Sequence, residues 1–129
     1  MKIYCKTYNS MSEVLQRYAG KDLWFLAVIL QDIPNPNDTA DVKYEPLPEG
    51  QYYIQIISVD GDTCQAYLWD KDYFDHGAKW YVTVDRVQET VYTIFTNNIS
   101  FYYKYPEVLT TAELAEQFEH NVKEAETQG

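Results

Sequence analysis

QYYIQIISVDGDTCQAYLW, residues 51–69, is the stretch that decides the architecture of this chain. Gln51 to Val59 and Thr63 to Trp69 are rich in β-branched and aromatic residues, and they flank Asp60-Gly61, a dipeptide favoured where a tight turn needs positive φ. The two runs therefore form a β-hairpin. In its second strand Cys64, Ala66 and Leu68 share one face, while Gln65, Tyr67 and Trp69 share the other, because successive strand side chains point to opposite sides.

On the N-terminal side of the hairpin lies a long loop, residues 32–50, containing Pro34, Pro36, Pro46 and Pro48 with Asp38, Asp41, Glu45 and Glu49 between them. A connection of that length is uncommon inside a domain and is expected to be either mobile or functional. Before it, Asp22 to Gln31 is an apolar run that suits a central strand covered on both faces. Ser10-Met11-Ser12-Glu13 has the form of a capping box, and Met11, Val14, Leu15 and Tyr18 follow at helical spacing, with Gly20 as the terminating residue. Lys2 to Tyr8 reads as a further strand.

On the C-terminal side, Asp70 to Gly77 is an acidic turn and Trp80 to Val84 alternates as a strand. Residues 86–96 carry two signals: their Val, Thr, Tyr and Ile favour strand, while the spacing of Val87, Val91, Ile94 and Phe95 favours helix. Asp85 and Gln88, placed like a capping box, tip the reading toward helix, with Asn97-Asn98 as its stop. Ile99 to Tyr105 returns to strand. Thr110-x-x-Glu113 is a second capping box, flanked by Leu109 and Leu114 as a hydrophobic staple, and it opens an amphipathic helix over residues 110–126 striped by Leu114, Phe118, Val122 and Ala125.

These elements predict one α+β domain over residues 1–129: a curved, mostly antiparallel sheet of about six strands packed with two or three helices, including the C-terminal one. A partly closed barrel is the variant. Short turns rather than crossover helices join most strands, which is what excludes a parallel arrangement.

Charge narrows the function. The chain carries 20 acids against 10 Lys and Arg, a net charge of −10. The excess is confined to residues 32–75 and 107–129, and the rest is mildly basic. Affinity for phosphates depends on Lys and Arg, so direct nucleic-acid binding is disfavoured. The five glycines stand apart at Gly20, Gly50, Gly61, Gly77 and Gly129, so no phosphate-cradling loop exists and no nucleotide cofactor is expected. The longest apolar run, Leu23 to Leu30, is eight residues, too short for a membrane span, and no secretory leader pattern precedes it. A cytoplasmic protein is expected, with Cys5 and Cys64 as reduced, buried thiols.

Catalytic patterns are weak. Asp70 to His76 resembles a calcium loop, but an EF-hand needs Gly at its sixth position and Glu at its twelfth, where this chain has Asp75 and Tyr81. Two separated cysteines with His76 and His120 do not make a zinc set. A small hydrolase or metal-dependent enzyme centred on the Asp70–His76 turn is the enzymatic alternative, and a structural accessory subunit is another.

The reading that the composition favours is a non-enzymatic, acidic protein-binding module without cofactor or metal, its partner a basic protein. One form of it is a nucleic-acid mimic, or an inhibitor of a nucleic-acid-binding protein, of the kind found in phages and mobile elements. The candidate binding residues are Asp38, Asp41, Glu45, Glu49, Asp60, Asp62, Asp70, Asp72, Tyr73 and Asp75, since carboxylates on one surface can engage the Lys and Arg side chains that otherwise hold phosphates.

Overall fold

A computed structural model describes residues 10–70, 87–101 and 108–128 of the chain. The described elements run α1 (Met11–Gln16), β1 (Trp24–Ile29), β2 (Gly50–Asp60), β3 (Thr63–Asp70), β4 (Tyr92–Phe95), a 3₁₀ turn (Thr96–Asn98), β5 (Ile99–Phe101), β6 (Val108–Leu109) and α2 (Thr111–Gln128). The expected strands at Lys2–Tyr8 and Trp80–Val84 lie outside the described residues.

All six strands pair antiparallel in one sheet, in the order β4-β3-β2-β1-β5, with β6 also on β1. The class is α+β, and among the described residues one helix packs on each face of the sheet. The hairpin is the β2–β3 pair, and its tight loop is Gly61-Asp62, one residue later than the Asp60-Gly61 of the sequence reading, with Asp60 opposite Thr63 and Gly61 at φ 60°. On β3 the two faces divide as the alternation predicts. Cys64, Ala66 and Leu68 enter the larger core with Phe25, Ala27, Ile29, Ile54, Ile56, the α1 residues Val14 and Leu15, and Tyr18 just after that helix. Trp69 enters the smaller core on the opposite face, with Trp24, Val87, Leu114 and Phe118.

The sheet is rolled. Phe95 ends β4 at the level of Thr63 and Asp60, whereas Ile99 starts β5 at the level of Ile29 and Gly50. In a flat sheet these two residues would occupy diagonally opposite corners roughly 38 Å apart. Only the three residues Thr96–Asn98 separate them, and an extended link of that length reaches at most about 14 Å. The sheet must therefore coil until the corners approach. A register shift between Ile56 and Ser58, in the middle of the long strand β2, supplies the bend. The ring stays open: no pairing joins β4 to β5 among the described residues.

Residues 86–96 are not the helix that the spacing favoured. Tyr92–Phe95 is strand, and of the described residues 87–91 only Val87 is helical. Its β-branched and aromatic residues fit a pleated surface, and Ala66 and Cys64 of β3 stand opposite Tyr92 and Ile94.

The Thr110 capping box forms in full, and at α1 the Ser10 side-chain cap is in place. In α1 the Ser10 hydroxyl accepts from the Glu13 amide at 3.4 Å. In α2 the Thr110 amide donates to Glu113 Oε1 at 3.0 Å, and the Glu113 amide donates to Thr110 Oγ1 at 3.2 Å. Hydrogen bonds to the Glu113 carboxylate from the Thr110 amide first, and then from the Thr110 side chain, hold that carboxyl below its ordinary value. The first amide of α2 is satisfied from outside the helix: Thr111 N donates to the Asp22 carboxylate at 3.2 Å, and Thr111 Oγ1 donates to the same Asp22 oxygen. Thr111 Oγ1 in turn accepts from Trp24 Nε1 at 3.0 Å. Buried Gln55 donates to Asp22 at 3.0 Å, so one carboxylate ties the start of β1, the middle of β2 and the head of α2 together.

Candidate binding surface

The acidic loop between β1 and β2 has a defined shape. Ile33 and Leu47 face each other in a two-bond bridge, at 2.8 and 2.9 Å, which closes the loop at its neck. Ile33 is buried in the larger core and Leu47 packs against that core, so the neck is anchored by apolar burial as well. Inside the loop, Asp38 Oδ1 accepts from the Tyr44 amide at 2.7 Å and Thr39 exchanges bonds with Val42. At its foot Asp32 Oδ1 accepts from the Glu49 amide at 2.9 Å, and the Tyr52 hydroxyl donates to the Pro48 carbonyl at 2.6 Å. A 20-residue connection that would be floppy as free chain is thus a compact Ω-type loop.

The positions of the candidate carboxylates follow from this frame. Asp41, Glu45 and Glu49 are exposed, and Asp38 is half-buried with one oxygen committed to the loop's own backbone. Asp60 and Asp62 are exposed at the hairpin turn. Asp70 ends β3 opposite Tyr52, near the foot of the loop. Asp72, Tyr73 and Asp75 lie outside the described residues, as does the rest of the acidic turn through Gly77. Among the described residues no group of three or more His, Cys, Asp or Glu side chains is placed to hold a metal ion.

Rolling of the sheet relates two acidic segments that a flat hairpin would keep apart. The Thr96 amide donates to the Asp62 carbonyl at 2.8 Å, and the Thr96 hydroxyl donates to the same carbonyl at 3.2 Å. Two residues on, the Asn98 carbonyl accepts from the Leu30 amide at 2.9 Å and Asn98 Nδ2 donates to the Gln31 carbonyl at 3.3 Å. The turn bearing Asp60 and Asp62 is therefore linked, through three residues, to the point where the acidic loop begins.

Between them runs an open groove of about 480 Å³, lined on one side by Gln31 to Pro36 and on the other by Thr93, Ile94, Phe95 and Asn98. Phe95 is 61% exposed beside it, the most exposed of the large hydrophobic residues in the described structure. Asn98 is only 9% exposed, yet its Oδ1 has no donor among the described residues. Sequence reading passed over Asp32, Phe95 and Asn98. Asn97-Asn98 carried only a helix-stop signal, and nothing local announces that Asn98 would be buried where two distant corners of a sheet meet.

The remaining polar chemistry is quiet. The Cys64 thiol is buried in the larger core, and burial pushes its pKa up to about 11, which leaves it protonated and unreactive at neutral pH. Burial also raises the Tyr92 hydroxyl above its ordinary value. No helix among the described residues is long and apolar enough to cross a membrane. No protein-family model, curated protein or solved structure matches the chain.

Proposed function

We propose that this chain is a non-enzymatic binding module whose acidic surface, made by the loop of residues 32–49 and the hairpin turn at Asp60 and Asp62, engages a basic protein. The observation that carries the reading is the internal bonding of the loop. Residues 32–49 hold five carboxylates against Lys43 alone, and the bridge at Ile33–Leu47 with the Asp38 and Asp32 caps keeps them in one arrangement. Self-repelling charge held in a preorganised loop forgoes much of the ordering cost that a free acidic tail would meet on binding.

Nucleic-acid-binding proteins are the class of partner that best suits such a surface. Their Lys and Arg side chains are placed to meet a regular array of phosphates, and a fixed set of carboxylates competes for the same groups. In that form the chain acts as a nucleic-acid mimic, an inhibitory role familiar from small acidic proteins of phages and mobile elements.

The test is retention of proteins from the source cell on the immobilised chain at low and high salt, beside a variant carrying Asp41→Asn, Glu45→Gln and Glu49→Gln. These three side chains are exposed, so the variant keeps its fold. Basic proteins held at low salt by the parent, released by salt and lost on the variant are the expected result. Equal retention by parent and variant would overturn the proposal.

A further inference from the structure

We propose that the groove beside β4 receives an extended, Lys- or Arg-bearing segment of the partner, which adds to the sheet as a strand along the open edge of Thr93 and Phe95. The inference rests on the binding reading above and gives it a mode. It starts from the register of β4. Antiparallel pairing alternates the direction of backbone groups along a strand, and Thr96 N–H points to the Asp62 carbonyl, on the β3 side. Ile94 and Tyr92 share that direction. Thr93 and Phe95 consequently turn their N–H and C=O groups away from β3, and no backbone partner meets them among the described residues.

Three further features of the groove fit an incoming strand. Ile33, Pro34, Pro36, Ile94 and Phe95 give it apolar walls, suited to alternate side chains of an extended peptide. Asn98 presents an acceptor that is nine-tenths buried and has no donor among the described residues, while its Nδ2 is fixed on the Gln31 carbonyl. A buried acceptor left in that state is costly unless a donor arrives, and a peptide N–H or a lysine ammonium is such a donor. Charge selects the occupant. Asp32 lines the groove, exposed Asp62 stands in the turn that bonds to Thr96 at its end, and the loop beyond adds Asp41, Glu45 and Glu49. A neutral strand could use the edge bonds but gains nothing from this field, and an acidic strand would meet it unfavourably.

The experiment uses the whole chain and an N-acetylated octapeptide of alternating lysine and valine, in about 20 mM salt where exposed charges act at longest range. Two further peptides carry backbone N-methyl groups, one on every valine and one on every lysine. The two kinds of residue face opposite edges of an extended strand, so only one methylated peptide loses its bonds to β4. The expected result is binding of the parent peptide, a loss of about tenfold or more for one methylated peptide and not the other, and amide shifts at Thr93 and Phe95 by NMR. Binding in which both methylated peptides match the parent overturns strand addition while leaving the acidic-surface reading standing. Absence of binding by all three overturns both. A peptide-free dimer that protects the Thr93 and Phe95 amides from hydrogen exchange would assign the edge to a second copy of the chain and overturn the proposal.

Discussion

The amide of Thr96 lies 2.8 Å from the carbonyl of Asp62, joining the end of an edge strand to the turn of the central hairpin. Because Asn98, two residues later, is bonded to Leu30 and Gln31 at the far end of β1, this short turn fastens two corners of the sheet that pairing alone would leave far apart. The groove, its acidic rim and the buried acceptor of Asn98 all depend on that fastening.

Asn98 should show a separation of stability from binding. Asn98→Ala loses the bond to the Gln31 carbonyl, a net loss of about 1 kcal/mol, but it also removes a buried unanswered acceptor whose cost is about 1–3 kcal/mol. Urea denaturation is expected to place the variant at or above the parent's stability, by up to about 2 kcal/mol, while its affinity for the lysine-valine peptide falls several-fold. A large loss of stability with unchanged affinity would mark Asn98 as a structural residue only.

Asp22 holds the head of α2, accepting from Thr111 and Gln55. Asp22→Ala removes the acceptor of the Thr111 amide and hydroxyl and leaves the buried Gln55 amide only its longer bond to Thr111 Oγ1 at 3.5 Å, and the expected loss is about 1–3 kcal/mol. Trp24 donates to Thr111, and Trp69 packs against Phe118 in a tilted contact with centroids 4.9 Å apart. Tryptophan fluorescence should therefore report the change, and an unfolding midpoint equal to that of the parent would refute the role.

Phe118→Ala removes the largest α2 side chain from the smaller core, where it meets Trp69. The expected cost is about 3–5 kcal/mol. Calorimetry or urea unfolding measures it, and a loss below about 1 kcal/mol would mean that α2 is not docked through this contact.

The pH dependence of α2 follows from Glu113. Its folded pKa lies below the ordinary carboxyl value of 4.5, because the Thr110 amide and hydroxyl bond the ionised form. A depressed carboxyl stabilises the folded state above its unfolded pKa and loses that contribution as pH falls through the folded pKa. Helicity of the C-terminal segment should thus hold from pH 7 down to about 4.5 and decline below it. Glu113→Gln, which keeps the capping geometry without the charge, should remove that part of the acid transition, as circular dichroism would show.

How much was legible in the residues depends on the range of the interaction that fixes each element. The hairpin of residues 51–69 and the helix caps at Ser10 and Thr110 are local patterns, and the structure places them within a residue or two of their expected positions. Tyr92–Phe95 was not legible, because the same apolar spacing serves a helix, and the pairing with Cys64 and Ala66 that decides for strand is some thirty residues distant. The candidate surface was legible as charge: Asp38, Asp41, Glu45, Glu49, Asp60 and Asp62 were read from composition and spacing. Its apolar floor was not. Phe95 and Asn98 acquire their setting from the rolling of the sheet, and that rolling is a consequence of register, to which no short sequence window has access.

On the binding mode proposed above, recognition belongs to the surface around residues 31–62 and 93–98 rather than to the acidic face of α2, where Glu113, Glu116 and Glu119 are also exposed. The most direct measurement is an NMR titration of the isotope-labelled chain with the lysine-valine octapeptide, following every backbone amide and the Asn98 side-chain amide. The largest shifts should fall at Thr93, Phe95, Asn98 and the loop from Asp32 to Glu49, and they should shrink as salt is added. Shifts confined to Glu113, Glu116 and Glu119, with Asn98 and Phe95 unmoved, would contradict it.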